Sequence, residues 1–204
     1  MTKTILAGVA AAAALCGAAQ AQERLPPVPP AQYTADQRAA AAAFEAARNG
    51  PVFGPFGLLI RSPNVMTAAR QMGDHLRFGS AVGTTLSELA ILVTAREWSQ
   101  DYEWSVHAPI ALRQGIRPEV VDAIAQGRRP EGMSADEALV YDFTIELHRN
   151  RQVSDATYGR TLARWGEVGV VDLTAINGYY TFLAMALNVG RTPPADGIRL
   201  PRLP

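Results

Sequence analysis

Glu103 and His107 stand four residues apart in the run Tyr102-Glu103-Trp104-Ser105-Val106-His107. On a helix that spacing brings a carboxylate and an imidazole to one face. Ile110, Ala111 and Gln114 continue the face, which is therefore largely apolar. Polar groups held there are costly unless they satisfy each other. A pair that does so shifts each other's pKa and suits proton transfer. The same spacing also fits a structural hydrogen-bonded pair in a helix contact, and spacing alone leaves the two readings level.

Other residues add weaker signals. Glu88 is either a second carboxylate for the chemistry or the closing residue of a capping box opened by Thr85. Arg96, two turns further on, could hold a substrate carboxylate with both arms of its guanidinium. An ordinary salt bridge to Glu97 or Asp101 is the commoner use. Tyr102 and Trp104 flank Glu103 and are candidate substrate contacts. His75 and His148 share helix faces with apolar residues and read as core histidines. No two-histidine motif supports a metal site, and no phosphate loop, nucleophile elbow or dinucleotide fingerprint is present. No cofactor is expected.

The N-terminus changes the available chemistry. Lys3, the uncharged run to Leu15 and Ala19-Gln20-Ala21 form an export-signal pattern over residues 1–21, with cleavage after Ala21. The mature protein is then expected to be secreted or periplasmic. Cys16 and Lys3 are the only cysteine and lysine, and both leave with the leader. A thiol nucleophile, a disulfide or a lysine Schiff base is thereby excluded. Equal numbers of basic and acidic residues, 19 each, give no basic field for nucleic acid.

The elements that must position the candidates read as helices. Residues 22–33 carry Pro26, Pro27, Pro29 and Pro30 and form an extended arm; residues 192–204 form a proline-rich tail. Between them, residues 34–191 make one domain. Capping boxes at Thr34/Gln37, Thr85/Glu88 and Ser134/Glu137 open helices, and Ser154 caps another. Gly54, Pro55 and Gly57 predict a loop. A helix over 63–78 presents Val65, Ala69, Met72 and Leu76 on one face. The helix from Thr85 to Trp98 is apolar all round at Ala90-Ile91-Leu92-Val93, which means burial on several sides. Pro109 lies inside the helix that carries Glu103 and His107. The last helix begins after Gly169. From Leu173 to Gly190 no residue is charged, and this stretch reads as a helix buried against neighbours, another subunit included, rather than a membrane span. Little reads as strand, so the class is all-α.

Ser87 to Gly115, SELAILVTAREWSQDYEWSVHAPIALRQG, resembles the core of the carboxymuconolactone decarboxylase family. Weaker similarity extends to residues 57–65, 153–165 and 177–191 with Gly178-Tyr179-Tyr180. A related branch, the alkylhydroperoxidase-D-like proteins, has Cys-x-x-Cys before its histidine; aligned on His107, those cysteines fall on Gln100 and Glu103. The resemblance implies an alkylhydroperoxidase-D-like helical bundle assembled as a homotrimer or homohexamer. It also implies acid–base chemistry by Glu88, Glu103 and His107 on small organic substrates. The implied activity is a cofactor-free decarboxylase or lyase acting on a small carboxylated cyclic compound, in the breakdown of aromatic compounds. A lactone hydrolase or isomerase using the same pair, or a non-catalytic ligand-binding oligomer, stays open.

Overall fold

The computed structural model describes residues 22–196 and 199–203; the expected leader, residues 1–21, lies outside them. All regular structure among the described residues is helical. A 3₁₀ turn, Pro30–Gln32, precedes α1 (Ala35–Arg48), α2 (Pro55–Leu59), α3 (Pro63–Phe78) and α4 (Thr84–Glu97). Then come α5 (Asp101–Arg113), α6 (Pro118–Ala125), α7 (Ala135–Asn150) and α8 (Asp155–Gly190).

Local chemistry sets most of these boundaries. Thr34 and Gln37 each accept the other's backbone N–H at the start of α1, as do Ser134 and Glu137 at the start of α7. Pro63 and Pro118 occupy the first turns of α3 and α6, where a missing N–H costs nothing. α4 lies at the centre, packed on α5, α7 and α8, with α3 and α6 against it as well. Its residues Ser87 to Arg96 are all buried, as its uniformly apolar middle predicts.

Several expectations give way to tertiary packing. The loop predicted around Gly54 and Gly57 contains α2, because Pro55 presets the first helical φ and Phe56 and Leu59 bury themselves. The buried face of α3 is Met66, Ala69, Gly73 and Leu76; Val65 and Met72 are 42% and 43% exposed. Gly73 causes this rotation, since a Cβ there would overlap the Tyr179 hydroxyl. The Thr85/Glu88 capping box does not form. Gly83 precedes α4 with φ +82°, Thr85 donates to the Gln114 carbonyl, and Glu88 turns inward. α8 breaks at Gly166 (φ +68°, ψ −174°), three residues before the expected start at Gly169, in a region only glycine visits cheaply.

The second part of α8, residues 167–190, buries Leu173, Ile176, Leu183 and Leu187 against its neighbours. By length and composition α8 could cross a membrane, but half of its most apolar window is covered by the rest of the fold.

Among the described residues, the segments before α1 and after α8 hold no helix beyond one 3₁₀ turn, yet both are docked. Arg24 N–H donates to the Gly190 carbonyl at 2.7 Å, and the Arg61 guanidinium to the Pro26 carbonyl at 2.5 Å. In the tail, Leu200 is buried and its N–H donates to Asp101 Oδ1 at 2.8 Å. Arg199 and Arg202 reach Asp101 Oδ2 at 3.2 and 3.3 Å. Asp101→Ala removes all three contacts. It should destabilise the fold by about 1–3 kcal/mol and expose Arg199 and Arg202 to trypsin. Thermal melts and timed proteolysis check this.

Candidate active site

The turn at residues 98–100 folds α5 back along α4. Ser99 sits there at φ +47° and takes a hydrogen bond from Arg96. Gln100 then caps α5: its side-chain oxygen accepts from Tyr102 N–H at 2.6 Å, and its amide donates to Asn188 at 2.9 Å. This start fixes the rotation of α5, so that Glu103 and His107 face α4 and α8.

All three candidate acid–base residues meet in the interior. His107 Nδ1 lies 2.6 Å from Glu88 Oε2, and His107 Nε2 lies 3.4 Å from Glu103 Oε2. All three side chains are buried. The short contact is a charge-assisted hydrogen bond in which Nδ1–H donates to Glu88. That bond orients the ring and leaves Nε2 facing Glu103 at a looser distance. Burial pushes the His107 pKa down, but hydrogen bonds and charge attraction from Glu103 and Glu88 outweigh it, so the net shift is upward. The protonated ring is thereby favoured over that of a free imidazole. Tyr180 packs edge-on against the ring at 5.1 Å between centroids.

A cavity of about 40 Å³ adjoins the pair, lined among others by Arg48, Arg77, Phe53, Tyr102, Glu103 and His107. Arg77 Nη2 lies 3.8 Å from Glu88 Oε1 and partly balances the two carboxylates. Tyr102 lines the cavity with its hydroxyl against Gly54; a Cβ on Gly54 would come within 2.8 Å of it. Burial, reinforced by Glu103, raises the Tyr102 pKa and keeps it a neutral phenol.

Two expected substrate contacts lie elsewhere. Arg96 donates to the carbonyls of Ala125 and Pro201 and to Ser99 Oγ. It ties the tail to α4 and is not available as a carboxylate anchor. Trp104 points away from the cavity into the hydrophobic core. Arg48 and Arg77, at the ends of α1 and α3, were not legible as site residues, since nothing in their local sequence marks them. Tyr179 and Tyr180 carried one signal, two phenols inside an uncharged helix. No group of three or more potential metal ligands is suitably placed among the described residues. The two ring nitrogens of His107 point to different carboxylates, so the three side chains do not converge on one ion.

Two solved structures share this architecture. One is an alkylhydroperoxidase AhpD core protein from Ralstonia eutropha, described as an uncharacterized peroxidase-related protein. It superposes with a TM-score of 0.67 at 16% identity, over 87% of this chain and 97% of that one. An uncharacterized peroxidase-related protein from a Silicibacter species gives 0.69 at 14%, over 87% and 94%. The chain has the alkylhydroperoxidase-D-like fold. No protein-family model and no curated protein matches it. The described residues of this chain contain no cysteine.

A raised His107 pKa makes a stability statement. Its contribution is fully present below the unfolded value of about 6.5 and is lost as pH rises through the folded pKa. His148, whose pKa burial lowers, acts in the opposite window: its contribution is lost as pH falls below about 6.5. Melting temperature should therefore decline on the alkaline side in the wild type. His107→Gln should abolish that decline while leaving the acid limb in place. Melts across the pH range check both.

Proposed function

We propose that this protein is a cofactor-free acid–base enzyme of the carboxymuconolactone decarboxylase kind, acting on a small carboxylated cyclic compound. The observation that carries the proposal is His107 held between two buried carboxylates, tightly by Glu88 and loosely by Glu103, beside a cavity. The chemistry follows from that asymmetry. Glu88 fixes the ring and keeps it protonated. The Nε2 proton, 3.4 Å from Glu103, is the one free to move.

In a decarboxylation the carbon–carboxylate bond breaks, carbon dioxide leaves, and the electron pair enters the substrate's own conjugated carbonyl system. Nε2–H then supplies the proton to that carbon, and Glu103 helps restore it from water. The substrate must bring its electron sink, because the described residues include no lysine. A peroxidase using thiols would find no cysteine nucleophile among the described residues. We place the reaction outside the cytoplasm, following the leader, and in the breakdown of aromatic compounds.

We also propose a homo-oligomer, a trimer or hexamer. On α8, Val168, Val171, Ala175, Gly178, Phe182, Met185 and Val189 recur at alternating spacings of three and four. That is the spacing of a helix–helix seam. Val168, Val171 and Val189 are each at least 60% exposed, and Met185 is 45% exposed. Phe182→Glu should shift the protein to monomer in light scattering with helicity retained. A wild-type monomer at micromolar concentration would remove the oligomer.

Glu103→Gln keeps shape but loses the titratable group, and His107→Asn loses the imidazole. Each should lower turnover of an identified substrate by about a hundredfold or more. Full turnover in both variants sinks the catalytic reading, and tight binding without turnover points to a ligand-binding protein.

A further inference from the structure

Three buried polar atoms on cavity-lining residues have no hydrogen-bond partner: Arg48 Nε, Arg77 Nε and Glu103 Oε1. Arg48 Nε is ion-paired to Asp74 at 2.6 Å, which leaves Arg77 Nε and Glu103 Oε1 to be explained. One is an obligate donor and the other a carboxylate oxygen able to accept. Buried unpartnered groups are rare because desolvation is costly, so each asks for an explanation. Both belong to side chains that line the same space.

The charges around that space are unequal. Arg48 is held by Asp74 at 2.6 Å, and Arg70 shares the same carboxylate at 2.7 Å. Arg77 faces Glu88, and His107 faces Glu88 and Glu103. Of the acidic and basic side chains that line the cavity itself, two are guanidiniums, Arg48 and Arg77, beside one carboxylate, Glu103, and the His107 imidazole. The nearby walls are aromatic: the Arg48 guanidinium lies 5.8 Å from the Phe56 ring and the Arg77 guanidinium 5.0 Å from Phe78.

Size narrows the ligand further. The cavity holds about 40 Å³, against about 30 Å³ for one water in the liquid. It admits a carboxylate head and excludes a ring. Phe53, 47% exposed, stands at its edge.

We propose that Arg77 is the anion anchor of this site, and that the ligand is a small monocarboxylic acid. Its head enters the cavity and its ring rests at the Phe53 edge. The proposal deepens the acid–base reading of Glu103 and His107 and rests on it. It replaces Arg96, whose terminal nitrogens donate to two backbone carbonyls and Ser99 Oγ and which does not line the cavity, and it favours a charged substrate over a neutral lactone.

Benzoate and its neutral counterpart benzamide provide the probe, with binding measured by calorimetry and by the His107 imidazole resonances. Benzoate should bind the wild-type protein in the millimolar range or tighter and shift the His107 signals; benzamide should do neither. Arg77→Gln should weaken benzoate binding at least tenfold. Arg77→Lys keeps a charge beside Glu88 without the planar fork, and should recover part of the affinity. The lysine variant also serves where the glutamine variant fails to fold. Equal affinity for benzoate and benzamide, unchanged benzoate affinity in a folded Arg77→Gln or Arg77→Lys protein, or no benzoate binding to the wild type would overturn the anchor. Turnover is not the readout. Arg77-dependent binding stands even if Glu103→Gln leaves catalysis intact, and a failed anchor leaves the acid–base reading to its own test.

Discussion

The buried hydrogen bond from His107 to Glu88 imposes the main constraint on this fold. Removing a carboxylate and an imidazolium from water costs several kcal/mol per ion. The 2.6 Å contact, Glu103 on the far ring nitrogen and Arg77 beyond Glu88 offset that cost only if all four groups keep their places. α4 and α5 are therefore held side by side in one rotation, and the helices around them must exclude water. The edge-on Tyr180 ring and the apolar body of α4 meet that requirement.

The same constraint explains an apparent irregularity at the start of α4. Glu88 is spaced to cap the helix, and a solvent-exposed α4 would use it so. Here Gly83 supplies the left-handed entry and the carboxylate is released inward. At the other end of α4, the turn into α5 is sealed by the chain's own tail. Arg96 and Asp101 receive residues 199–202 through opposite charges and backbone hydrogen bonds. Two charged residues within sight of the candidate site thus serve architecture, and the site's cations come from α1 and α3.

α8 joins these regions. Its inner face closes the interior over His107, Gly73 of α3 lets its Tyr179 approach, and its outer stripe is uncharged. One face of the helix is thus committed to the core while another apolar face is left outside.

Much was legible in local chemistry. The capping residues of α1, α7 and α8, the prolines opening α3 and α6, and the uniformly apolar middle of α4 act over a few residues, so their effects could be read from the chain. The Glu103/His107 pair was legible for the same reason, being one helical turn apart. Tertiary structure alone decided the rest. Whether Glu88 caps or turns inward, whether Arg96 or Arg77 faces the cavity, and which side of α3 is buried depend on groups 19 to 106 residues distant. Such choices are settled by burial energy and charge pairing between helices, which local sequence does not encode.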